Sequence, residues 1–322
     1  KQKIRFYAAL LCSSMVFSLV STPVSAAETG QLTNPPTSTE ELSSPESISG
    51  NEAASALNGL SVLAANGEAE VTTASELTGA LADSSISRIT LKGDIDIGST
   101  LTVNRTVTLD LNGCVLKMTG SDSVIKVEAD GDLTIQDRNT TTQHKFNPHC
   151  KYLTWYIDMW ELDNGGSEIV SGGVITGGGG DQSNGGGVLV AGGTLVMAGG
   201  SIVGCSAMSR GGGVCNNGTF IMSDGMIKGC TSPDGQYASG GGVRNSNQFT
   251  MTGGMIGDPD NENDASHVYN TSSQETTLTI SGNAKIYTDI TNVGILNADG
   301  GEIAGTMTND TNRYGNRVGG GD

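Results

Sequence analysis

Large aromatic side chains are scarce in this chain. Phe, Trp and Tyr make up 4% of its 322 residues, with only two tryptophans. A core built on rings is excluded by that count, so interior volume has to come from aliphatic side chains. Basic residues are scarce too, 17 against 34 acidic ones, for a formal charge of −17. Such a surface repels polyphosphate, and neither nucleic acid nor anionic lipid is an expected partner. Six cysteines at uneven spacing are too few for a disulfide scaffold. After Ser84 no sustained 3.6-residue apolar period appears, and after residue 26 no further apolar run is long enough to span a membrane.

Glycine is what the chain has in quantity, 48 residues, together with a marked order along its length. Residues 1–26 read as an export signal: Lys1, Lys3 and Arg5, an apolar run from Phe6 to Val20, then the small-residue site Val24-Ser25-Ala26. Their removal takes away Cys12 and three positive charges, and places the remaining chain outside the cell or on its surface. Residues 27–70, rich in Ser, Thr, Pro, Glu and Ala, cannot bury enough apolar area to order themselves and read as a disordered stalk. "TASELTGALADS" follows as a short capping helix, with Thr73 or Ser75 as N-cap and Leu77, Ala80 and Leu81 on one face. Residues 71–310 are then expected to form one all-β domain interrupted by an aromatic insertion at 138–166, and 311–322 a tail or linker.

An internal repeat organises that domain. "GGGVLV", "GGGVCN" and "GGGVRN" place marker residues at Val188, Val214 and Val243, and "SHVYN" and "VGILN" continue the series at Val268 and Ile295, at intervals of 25 to 29 residues. Apolar residues keep their offsets inside each unit: Phe220, Met222 and Ile227 after Val214, and Phe249, Met251 and Ile256 after Val243. A flexible linker would not hold such a register, and collagen would need glycine at every third position. Two alternating apolar residues, a glycine corner and a lone apolar residue make one winding of short parallel strands, which shares its core with stacked neighbours. Asn216, Asn245, Asn270 and Asn297 each lie two residues after a marker, so stacking is expected to join their amides in a ladder.

The "GGGVxNxGxFxMxxGxI" repeat, set behind a signal and a Ser/Thr/Pro stalk, resembles secreted or surface glycine-rich β-helix proteins of bacteria, adhesins among them. The resemblance implies the right-handed parallel β-helix of the pectin-lyase-like superfamily, here with roughly nine coils at this repeat length. That scaffold hosts lyases, hydrolases, adhesins and passive stalks. The leading expectation is a structural and adhesive module, a monomeric rod whose side loops bind glycans or other cell-surface molecules; the alternative is a polysaccharide lyase or glycoside hydrolase.

Specific residues carry these expectations. Tyr152, Trp155, Tyr156 and Trp160, clustered in the insertion, read either as a flat platform for sugar rings or as a flap over the core. Asp258, Asp260, Glu262 and Asp264 alternate along "DPDNENDAS", a spacing that wraps oxygens around Ca²⁺, although the glycine and glutamate of an EF-hand loop are missing. His144, His149 and Cys150 fit no closed zinc set. Cys205 and Cys230 hold equivalent places in successive repeats, near enough for a disulfide or for two stacked small apolar residues; Cys215 is expected to point outward. No catalytic set is assigned and no cofactor beyond Ca²⁺ is implied. A lyase would have to be assembled from Arg244 with Asp234 or Asp258.

Overall fold

Short apolar alternations make short strands, and their register joins them into parallel stacks. The computed structural model describes residues 67–148, 160–179, 184–232, 240–261, 264–271 and 275–309. All of these fall within one compact unit, Gly50–Asp322. The first stack runs through strands Glu68–Val71, Arg88–Leu91, Thr106–Asp110 and Asp132–Gln136. It continues through the opening halves of Thr194–Val203, Thr219–Lys228, Thr277–Ile286 and Ile295–Ile303, with Gln248–Met251 between the second and third of these. A second stack takes Ile95–Ile97, Val115–Met118, Val174–Thr176, the closing halves of the long strands, and Met255–Ile256. The third holds eight strands, from Leu101–Val103 and Ile125–Val127 to Ile290–Asn292 and Met307–Asn309. Pairing is parallel throughout the three, and the chain visits them in turn, the arrangement a β-helix requires.

Because register is kept, equivalent side chains lie over one another. Leu195, Phe220, Phe249 and Leu278 form one inward column, and Ile202, Ile227, Ile256 and Ile286 another, all fully buried. The rings of Phe220 and Phe249 stack face to face, centroids 4.5 Å apart and planes 9° from parallel. Glycine is required at the entry to the third stack by backbone crowding. Gly211 has φ +62°, and a Cβ there would lie 2.3 Å from the Val214 carbonyl; one on Gly212 would lie 2.2 Å from the Thr231 carbonyl. Hence the repeated Gly-Gly-Gly before Val188, Val214 and Val243.

The helix Ala74–Ala82 closes one end of the stacks. Thr73 is its N-cap and forms a capping box with Glu76. Three residues of its inner face, Leu77, Ala80 and Leu81, are buried against the first strands of all three stacks. Its last carbonyls are taken by a side chain from the next winding: Arg105 donates Nε to Leu81 O at 3.0 Å and Nη2 to Ala80 O at 2.8 Å. Among the described residues no helix is long and apolar enough to cross a membrane.

Three boundaries differ from expectation. The first strand opens at Glu68, inside the stretch read as stalk, because Ala69 and Val71 bury beneath the next winding. The insertion builds an antiparallel sheet of Gln143–Asn147, Glu161–Leu162 and Glu168–Ser171, so it reaches past 166. The marker after Val268 is Ile290, not Ile295: Val268 pairs with Ile290 and Asn270 with Asn292, whereas Ile295 pairs with Thr277 in the first stack. Two runs, "ITN" at 290 and "ILN" at 295, fit the marker pattern. The windings shorten toward the C-terminal end, so even spacing pointed to the wrong one.

Candidate functional site

The insertion lies against the outward side of the second stack and is anchored at a polar corner. Asp110, fully buried, accepts Asn112 N at 3.0 Å, Gln136 Nε2 at 2.9 Å and Arg138 N at 3.2 Å, and ion-pairs with the Arg138 guanidinium. Burial pushes its pKa up, but the hydrogen bonds from Gln136 and Arg138 outweigh burial and hold the carboxyl below its ordinary value. Asp137 bridges the corner, its two oxygens accepting Gly113 N and Gly173 N, each at 2.7 Å. His144 Nε2 lies 3.0 Å from Gly113 O in the same corner. His149 and Cys150, its suggested metal partners, lie outside the described residues.

Beyond this corner the insertion contributes a second, small apolar cluster: Phe146, Trp160, Val170, Val174 and Val203. Trp160 is 1% exposed, which corrects its expected place in a sugar platform; it is a core residue of the flap. Its backbone N–H donates to Gly229 O at 3.2 Å, and its ring lies so close on Gly229 that a Cβ there would come within 2.2 Å. The indole Nε1 is buried with no acceptor among the described residues. Tyr152, Trp155 and Tyr156 lie outside the described residues.

Over that ring sits Lys228, with Nζ 4.3 Å from the ring centroid and 3.3 Å from Asp258 Oδ2. Both side chains of the pair are withdrawn from solvent, 8% and 6% exposed. Asp258 Oδ1 accepts Asp260 N, and the buried Asp264 accepts Gly229 N at 3.2 Å and Ser266 N at 2.9 Å. Burial raises the pKa of Asp264, opposed by the hydrogen bonds from Ser266 and Gly229.

The structure describes three of the four residues suggested for a Ca²⁺ loop. Asp258 and Asp264 are tied to Lys228 and to backbone amides, Glu262 lies outside the described residues, and among the described residues no three His, Cys, Asp or Glu converge on a metal position. Nor is the suggested lyase pair assembled. Asp258 pairs with Lys228, while Arg244 projects from the third stack toward Ser246 Oγ. Asp234 lies outside the described residues.

The remaining sequence-derived residues are structural in their surroundings. Asn216 donates to Asn245, Asn245 to Asn270 and Asn270 to Asn292, each at 2.7 Å, and Asn292 donates to Asn309 at 3.0 Å. Asn297 is corrected out of this ladder, since it pairs with Thr279 in the first stack and is exposed. Asn292 and Asn309 take the places that the misassigned marker hid. Cys205 and Cys230 are free thiols, buried one above the other, and no disulfide joins them. Cys230 Sγ points to Ile202 O at 3.6 Å, and burial drives that thiol far up from its ordinary pKa. Cys215 alternates with the core residue Val214 and pairs with Leu189 and Arg244, away from the core cluster, yet it is buried, and its thiol is free; burial raises its pKa, with the neighbouring Arg244 pulling the other way.

Sequence reasoning missed Lys228, Asp110 and Arg138. A lysine at the end of the "MSDGMIK" strand has Val203 as its counterpart one winding earlier, and that change from apolar to charged was the available signal.

Comparison with known proteins bears on the same region. Residues 68–171 match a protein-family model described as "Putative pectate lyase-like adhesive domain". The match covers the capping helix, the first windings and the antiparallel strands of the insertion, and stops short of the glycine-rich repeats. No curated protein and no solved structure matches the chain.

Proposed function

We propose that this chain is an adhesive module of the cell surface or extracellular space, a right-handed parallel β-helix that offers its side loops to glycans or other surface molecules. The observation that carries the reading is the resemblance of residues 68–171 to a pectate lyase-like adhesive domain. The arrangement of charge agrees with it. An enzyme of this scaffold needs acids and a base open to substrate, whereas Lys228, Asp258 and Asp264 are buried under Trp160 and the following loop. Export follows from the leader at residues 1–26, and the acidic surface keeps the module apart from nucleic acid. Contact with sugars falls to Tyr152, Trp155 and Tyr156 of the insertion sequence, whose rings suit the apolar faces of pyranoses. Ca²⁺ is an accessory at most.

The test is binding of the full chain to an array of neutral and acidic glycans, with and without a chelator, beside the double variant W155A/Y156A. Saturable binding that the variant loses supports the reading. Binding that the variant keeps removes these aromatic residues from it. Release of unsaturated oligosaccharides from a polyuronate by the wild-type chain would replace adhesion with lyase chemistry.

A further inference from the structure

The Lys228–Asp258 pair is built unlike an ordinary ion pair. Lys228 ends the strand Thr219–Lys228, and Asp258 follows Met255–Ile256 in the next winding. Ile227 pairs with Ile256, and Gly257 N donates to Ile227 O at 2.9 Å, so Gly257 follows opposite Lys228 and Asp258 lies one residue beyond it on the adjacent winding. Both ends of the pair have further contacts: Lys228 Nζ lies over the Trp160 ring, and Asp258 Oδ1 accepts the amide of Asp260 while Oδ2 lies 3.3 Å from Nζ.

We propose that Lys228 and Asp258 become joined by an intramolecular amide between Nζ and Cγ, a covalent staple across two windings. Amide formation between an amine and a carboxylate fails in water because both groups are charged and solvated, and because water competes with the amine. Here each obstacle is reduced. Both side chains are more than nine-tenths buried, so bulk water is kept from competing with the amine and from solvating the pair. Fixed contact replaces a bimolecular encounter, and well-oriented intramolecular reactions reach effective molarities of about 10⁵–10⁸ M.

The step balances without any cofactor. A proton passes from the ammonium to the carboxylate; the freed Nζ lone pair attacks Cγ; the Nζ–Cγ bond forms. One Cγ–O bond then breaks, and its oxygen leaves with two protons as water, nothing being oxidised or reduced. Asp264, held on the amide of Gly229 next to Lys228, is a local proton carrier. Burial makes it retain a proton more readily than an exposed aspartate. The staple would do for these windings what the cysteines do not, since all four cysteines among the described residues are free thiols.

Mass spectrometry of the denatured, unlabelled full chain tests this. The expected result is an intact mass lower than the sequence mass by one water. After trypsin, residues 211–244 and 245–285 should remain linked, with no cleavage after Lys228, and Lys228→Arg should restore the full mass. Three outcomes would overturn the proposal: a full intact mass with normal cleavage after Lys228; water lost elsewhere, as in a succinimide at Asp224-Gly225, with Lys228 still cleaved; or a Lys228→Arg chain that still lacks the water.

Discussion

Where the stacks begin, Leu77, Ala80 and Leu81 of the helix lie over the first winding, and Val71, Ile89 and Leu91 beneath them are completely buried. Where the described residues end, Ala298 and Met307 hold the register positions that Ile280 and Ile290 fill one winding earlier, and both are exposed. The same kind of strand, in the same stack, is core at one end and surface at the other. Inward direction alone does not bury a side chain here; a neighbour on each side does. Among the described residues the last winding has a neighbour on one side only, so stability should fall along them from the capped end to that open one.

Substitutions that sample both regions sharpen this contrast. Phe249→Ala, which empties a fully buried site stacked on Phe220, should cost about 3–5 kcal/mol in denaturant unfolding, the range for deleting a buried ring. The ladder permits a comparison within one residue type. Asn245, bonded to amides on both sides and to backbone carbonyls, should cost about 1–3 kcal/mol on replacement by alanine, because its buried partners are left unpaired. The cap should be weaker still. Thr73→Ala removes one half of the capping box and should cost about 1 kcal/mol, seen as early loss of the helix on heating. Asn309→Ala, at the exposed end of the same ladder, should stay within about 0.5 kcal/mol of the parent. Equal losses at Asn245 and Asn309 would break the comparison, since the ladder would then owe nothing to neighbours on both sides.

Much of this was legible in the residues, because a parallel stack repeats its demands. Phe220 and Phe249, Ile227 and Ile256, and Asn216 and Asn245 occupy equal offsets, since each must sit above its predecessor. An N-cap at Thr73 or Ser75 and the inner helix face were legible for a local reason, since both lie within one short segment; the structure selects Thr73 and adds Glu76. What depends on contacts between distant segments left no periodic trace. Trp160 reads as a surface ring until Gly229 and Lys228 are brought under it, about 70 residues later in sequence and on a different element. The Asp258 loop has a calcium-like rhythm, yet the spatial neighbour of Asp258 is a buried ammonium. Asn297 failed for a third reason, since two candidate runs five residues apart could be ranked only by even spacing, and the windings contract.

Hydrogen–deuterium exchange of the full chain tests the central claim most directly. If windings are held by neighbours on both sides, backbone amides of the third stack should be protected through Val214–Asn216 and Val243–Asn245, and progressively less so at Ile290–Asn292 and Met307–Asn309, while Leu101–Val103 beneath the helix stays protected. Uniform protection to the last strand, or faster exchange at the capped end than at the open one, would contradict it.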